Sequence, residues 1–190
     1  GLFGQMFPPT EAEILEDESF LRFIMAALRN TDRRVAAGKS VTPMFLIGVF
    51  MWAPTRRLAA EMQADENMSE SQALSMASYE LVAAQQRRIA IPRRFTVPMR
   101  EMLALQPRFT VTRGKRALKF LEHRRFRAAY DFMVLLTEVG DFDEQLMEFW
   151  TDVQCQSQED RAQSFHVRST PRSSNRRRRR RPRRQKPETS

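Results

Sequence analysis

Ser19-Phe20-Leu21-Arg22-Phe23-Ile24-Met25-Ala26-Ala27-Leu28 is the stretch that decides the fold class. Phe20, Phe23, Ile24, Ala27 and Leu28 recur at i, i+3, i+4, i+7 and i+8, the spacing that lines one side of an α-helix, behind Ser19 as an N-cap. The same period returns along the chain. Thr42-Pro43 opens a second helix with Pro at its first position, running through Phe50 and Trp52. Pro54 kinks or restarts it, and Leu58, Ala59 and Met62 continue the apolar face. Ser69 with Gln72 three residues on reads as a capping box for a helix to about Arg88, whose inward face is Ala73, Leu74, Ala77, Leu81 and Ala84. Pro98 starts a short helix that Pro107 stops. Thr112 caps a helix from Arg113 to Leu121. Another runs from Phe126 to Val139 with Gly140 as its stop, and the last spans about Asp143 to Val153. The expectation is an all-α, irregular bundle of seven to eight helices.

Composition narrows the class further. The chain has 190 residues, 42% of them hydrophobic, with 14 Phe and six Gly, enough for a buried core and short of the alternating runs of a β-rich fold. One cysteine excludes a disulfide framework and fits a reducing, cytoplasmic compartment. The longest apolar run, Met44 to Ala53, is ten residues, too short to span a bilayer. No basic segment precedes an apolar stretch at the N-terminus, so no export signal is expected. Gly1 in place of an initiator Met reads as the back end of a longer chain.

The net charge of +9 is unevenly placed. Residues 168–190 carry 11 bases and one acid, leaving 21 bases and 22 acids for the rest. Within that remainder, residues 87–127 hold 13 bases and two acids, and residues 128–167 hold one base and nine acids. A basic middle and a basic tail, set between acidic stretches, point to a polyanionic partner. From about Gln156 the apolar pattern fades, so a helical body over 1–155 and a disordered basic tail over 156–190 are expected.

The middle segment supplies the candidate RNA-binding residues: Arg87, Arg88, Arg93, Arg94, then Arg113, Lys115, Arg116 and Lys119, then Arg124, Arg125 and Arg127. Arg113, Arg116 and Lys119 follow at i, i+3, i+6, so one helix face is cationic while Ala117, Leu118 and Leu121 turn inward. Arginine predominates, as it does where guanidinium forks meet phosphates. The tail adds Arg176, Arg177, Arg178, Arg179, Arg180 and Arg181. The competing reading is a solvated face paired with the acidic stretch that follows. Phe95, Phe109 and Phe126 lie among the arginines and offer either stacking surfaces or core. Asp141 and Asp143 have a DxD spacing, but they follow Gly140 and open an acidic helix, where carboxylates favour the N-terminus without a metal. Cys155 and His166 sit where the apolar pattern runs out. There is no phosphate-loop, dinucleotide-binding, HExxH or GxSxG motif. No catalytic or metal-binding residue is therefore assigned.

Four stretches together resemble the C-terminal region of bacterial poly(A) polymerases of type I, the polynucleotide adenylyltransferases. They are Gly1 to Pro8 (GLFGQMFP), Leu28 to Arg34 (LRNTDRR), Ala90 to Arg94 (AIPRR) and, most specific, Arg113 to Asp131 (RGKRALKFLEHRRFRAAYD). The similarity is good over about residues 1–135, weak to 165 and compositional in the tail. It implies a protein built as head, neck and body. The head would hold a Gly-Ser motif and a strand-borne DxD pair, with the ATP and Mg²⁺ they use. The helical body, leg and arginine-rich tail would hold RNA 3′ ends. This chain has neither head motif, so no family catalytic residue maps onto it. The resemblance implies an RNA-binding portion, inactive alone, whose partner is the single-stranded 3′ end of RNA; RNA-decay proteins are the partners expected if its acidic and basic regions dock proteins. Against it stand a pure protein-interaction module and a non-specific binder of DNA or anionic membrane surfaces.

Overall fold

A chain with Pro at the first turn and nine apolar residues in the ten from Met44 to Ala53 builds the helix around which the others assemble. The computed structural model describes residues 1–66 and 68–166. It contains α1 (Leu2–Met6), α2 (Pro8–Glu16), α3 (Glu18–Ala36), α4 (Pro43–Glu66), α5 (Glu70–Gln85), α6 (Arg93–Ala104), the 3₁₀ helix η1 (Gln106–Thr110), α7 (Gly114–Phe120), α8 (Phe126–Glu138), α9 (Glu144–Cys155) and α10 (Gln158–Ser164). There is no strand among the described residues. No described helix is long and apolar enough to cross a membrane.

Helix α4 touches α2, α3, α5, α6 and α8. It runs 24 residues with Pro54 buried inside it, so that proline does not restart the helix. Gly48 lets it lie close against α6: a Cβ there would come within 2.6 Å of Met102 Cε and 3.3 Å of Met99 Cγ. Two aromatic clusters fill the core. Phe23, Phe45 and Trp52 meet Phe132 edge-on at 5.3 to 5.9 Å between ring centroids. Phe109, Phe120, Phe126 and Phe165 surround Trp150, whose indole N–H donates to the Phe109 carbonyl at 2.7 Å.

The expected all-α bundle is what the chain forms, with ten α-helices where seven to eight were read. Helices α1, α2 and α10 are short, and α10 buries no residue of its own. The Ser69–Gln72 capping box is present with both reciprocal hydrogen bonds. Gly140, at φ +85°, closes α8: Asp141 N–H donates to the Leu136 carbonyl and Gly140 N–H to that of Thr137. Gly38 ends α3 in the same way, on Arg34 and Val35.

Four readings change. Pro98 lies inside α6, which starts at Arg93; Pro98 is buried there, and packing outweighs its missing hydrogen bond. Arg113, not Thr112, occupies the N-cap of α7, and no side chain caps it. On α5, Val82 is buried and Ala84 exposed, because the inward face follows 74, 78, 82 and 85. Packed structure also passes the expected boundary at residue 155: α10 follows it, and Phe165 is fully buried against Phe149 and Trp150. The expected tail residues 167–190 lie outside the described residues.

Candidate nucleic-acid interface

Gly114, at φ +86°, turns the chain sharply into α7, and its N–H donates to the Phe165 carbonyl at 2.7 Å. The helix is anchored from within by Ala117 and Phe120, both buried, while Leu118 and Leu121 pack partly against the core. Phe120 was not among the residues expected to turn inward. The guanidinium of Arg108 lies 4.3 Å from its ring centroid, closing the inner side. Arg113, Lys115, Arg116 and Lys119 are all exposed, and none has an acidic partner among the described residues. Among the described residues, no carboxylate of the acidic stretch that follows forms an ion pair with this face.

Arg87 and Arg88 lie in the turn after α5, and Arg93 and Arg94 form the first turn of α6. All four are exposed and lack an ion pair among the described residues. Arg94 stacks over Phe95 at 4.9 Å, and Arg100 over Tyr79 at 4.8 Å. Arg94 is thereby laid along an apolar surface with its charged head in water, whereas Arg100 is half-buried and its Nε has no hydrogen-bond partner among the described residues.

The third group behaves differently. Glu101, from α6, holds Arg124 Nη2 on one carboxylate oxygen and Arg125 Nε, at 2.9 Å, on the other. Burial pushes the Glu101 carboxyl up, but the hydrogen bonds and charges of Arg125 and Arg124 outweigh it, and it ionises below its ordinary 4.5. His123 Nδ1 accepts from the Arg125 N–H at 3.1 Å. Burial, then the neighbouring Arg108 charge, hold that imidazole below its ordinary 6.5. Arg127 pairs with Asp131 one turn on, at 3.0 Å. Arg124, Arg125 and Arg127 line one wall of a groove of about 540 Å³, and Arg33 and Arg34 from α3 line the other. Reading along the sequence missed those last two as site residues. They stand in the quoted LRNTDRR stretch, but about ninety positions separate them from their counterparts.

A pattern joins these groups. Helices α6, α7 and α8 start without a side-chain cap or an acidic first-turn residue, and with arginine or lysine at or beside the N-terminus. Helices α2, α3, α5, α9 and α10 each carry an acid in the first turn. Because the N-terminus is the positive end of a helix dipole, each cation there costs about 0.3–1 kcal/mol, where an acid would stabilise by as much.

Other candidates resolve into structure. Phe109 and Phe126 are buried in the Trp150 cluster, so neither presents a face to a base; Phe95 is half-buried beneath Arg94. Asp143 accepts the Leu146 N–H as the cap of α9, and Asp141 pairs with Arg56 at 3.3 Å. Both carboxylates have structural partners. Cys155 is exposed at the end of α9, and His166 follows α10 with φ +50°. The six consecutive tail arginines lie outside the described residues.

The family model for the arginine-rich C-terminus of polymerase A matches residues 66–185. The chain belongs to that family. Poly(A) polymerase I of Haemophilus influenzae is 31% identical over 189 residues, covering 98% of this chain and 42% of that protein. Those of Escherichia coli O157:H7 and Salmonella typhimurium are 34% and 32% identical over 157 residues, covering 80% of this chain and 34% of each relative. The chain thus spans between a third and just over two-fifths of the length of these curated relatives. Family membership places the uncapped basic helices α6, α7 and α8 within the matched segment.

Proposed function

We propose that this chain is the RNA-holding portion of a cytoplasmic poly(A) polymerase, gripping the 3′ segment of an RNA to which AMP from ATP is added. The observation that carries the reading is the placement of cations at the N-termini of α6, α7 and α8. Folding stability alone favours acids there, and a phosphate backbone reverses the preference. Phosphate contact then dominates affinity and confers little sequence preference, which suits an enzyme acting on many RNA ends. ATP and Mg²⁺ belong to a catalytic head that supplies the chemistry, and RNA-decay proteins are the expected protein partners.

Binding by residues 1–190 to single-stranded RNA, duplex DNA and anionic vesicles over a salt series tests the reading. Preferred binding of RNA with a steep salt dependence supports it; equal binding to all three would make the chain a general polyanion binder. Incubated with ATP, Mg²⁺ and labelled RNA, the same protein is expected to leave RNA length unchanged.

A further inference from the structure

The groove between α3 and α8 has the size of a ligand site, about 540 Å³, and a strongly cationic lining. Five arginines face it against two carboxylates, Asp131 and Glu138. Asn30, Thr31 and Thr42 add an amide and two hydroxyls, and Phe45 and Val134 give it apolar ground. Guanidinium forks, short polar groups and an apolar floor in one recess match the phosphate, sugar and base of a nucleotide chain.

Glu101 is the odd member. In a region of 13 bases and two acids it neutralises charge, yet both its oxygens are spent on arginines of the groove wall. Arg125 is bound through Nε and Arg124 through one Nη, so each keeps further N–H donors free for the groove. A guanidinium already fixed loses less rotamer freedom when it meets a phosphate.

We propose that this groove seats a short single-stranded RNA segment, with its phosphates on Arg33, Arg124 and Arg125 and with Glu101 as the positioning residue that aims the latter two. The proposal rests on the RNA-binding reading above. Simple charge counting and positioning predict opposite signs for one variant. Removing the Glu101 charge adds a positive charge, so charge counting predicts tighter binding and a steeper salt slope. Positioning predicts weaker binding and an unchanged slope.

The test uses residues 1–190 and a labelled uridine hexanucleotide. Glu101→Gln is expected to weaken binding roughly three- to fivefold at an unchanged salt slope, with Glu101→Asp recovering part of the loss. Arg33→Ala with Arg125→Ala is expected to cost about tenfold; Arg33→Ala alone, at an exposed residue without an ion pair, guards against a folding artefact. A 4-thiouridine version should crosslink to residues 30–45 or 124–135, with a lower yield in Glu101→Gln. Tighter binding by Glu101→Gln, or crosslinks confined to residues outside those two segments, would overturn the groove. If Arg113→Ala, Arg116→Ala and Lys119→Ala still weaken binding in that event, the RNA reading survives without it. If no variant changes RNA binding, both readings fall.

Discussion

Glu101 and His123 give the basic region a pH dependence whose sign follows from their surroundings. Both are held below their ordinary values in the fold. A depressed group contributes stability that is complete above its unfolded pKa and lost as pH falls through the folded one. Stability should therefore decline in two stages on acidification, the first beginning below about 6.5 from His123 and the second below about 4.5 from Glu101. Melting temperatures from pH 8 to about pH 3 should show both; His123→Gln should flatten the first and Glu101→Gln should reduce the second, to which Asp17, held low by its Ser19 hydrogen bonds, also contributes. At Trp150 the issue is a buried acceptor. Trp150→Phe leaves the Phe109 carbonyl without its 2.7 Å donor and should cost about 1–3 kcal/mol in denaturant unfolding. No loss would mean that water takes the place of the indole N–H.

Each of α6, α7 and α8 begins with the wrong charge for its own stability, so function and folding can be separated within one helix. Lys115 is the second residue of α7 and is exposed. Lys115→Glu should raise stability by about 0.3–1 kcal/mol while weakening RNA binding. A variant that loses both would show that the lysine has a structural partner. Elements with local signals were legible in the sequence. The Ser69–Gln72 box and the Gly140 stop depend on neighbours within five positions, and both appear where they were read. Pro98 was misplaced because its tolerance inside α6 comes from burial by other helices. Helix α10 was missed because its only strong apolar signal, Phe165, lies beyond its end. The cationic segment was legible as a charge count, but the groove was not, since α3 and α8 meet only in three dimensions.

At the scale of the molecule, the core closes at Phe165, and this sets where the chain can be cut. Residues 168–190 carry no large apolar side chain, so truncation after Val167 should leave the melting temperature nearly unchanged. Truncation after Cys155 removes a fully buried Phe and the carbonyl that holds Gly114, and should cost about 3–5 kcal/mol. Equal stability of the two would show that Phe165 contributes nothing. The truncated body also divides the electrostatics. With ~4–6 phosphate contacts in the tail at about −0.7 each, removing residues 168–190 should flatten the log–log salt slope by roughly 3–4 units. Arg113→Ala, Arg116→Ala and Lys119→Ala should weaken RNA binding further in that shortened protein. Equal affinity with and without them would make α7 a solvated surface.

The hydrogen bond from Gly114 N–H to the Phe165 carbonyl joins two places far apart in sequence, the entrance of the basic helix and the last turn of the described chain. His166, the last described residue, therefore stands beside the start of α7. If α7 and the tail arginines both hold RNA as proposed, they behave as a bivalent ligand: once either holds a strand, the other meets it at an effective concentration on the order of millimolar. On the proposed RNA-holding reading, the clasp between Gly114 and Phe165 favours rebinding of a strand over its release.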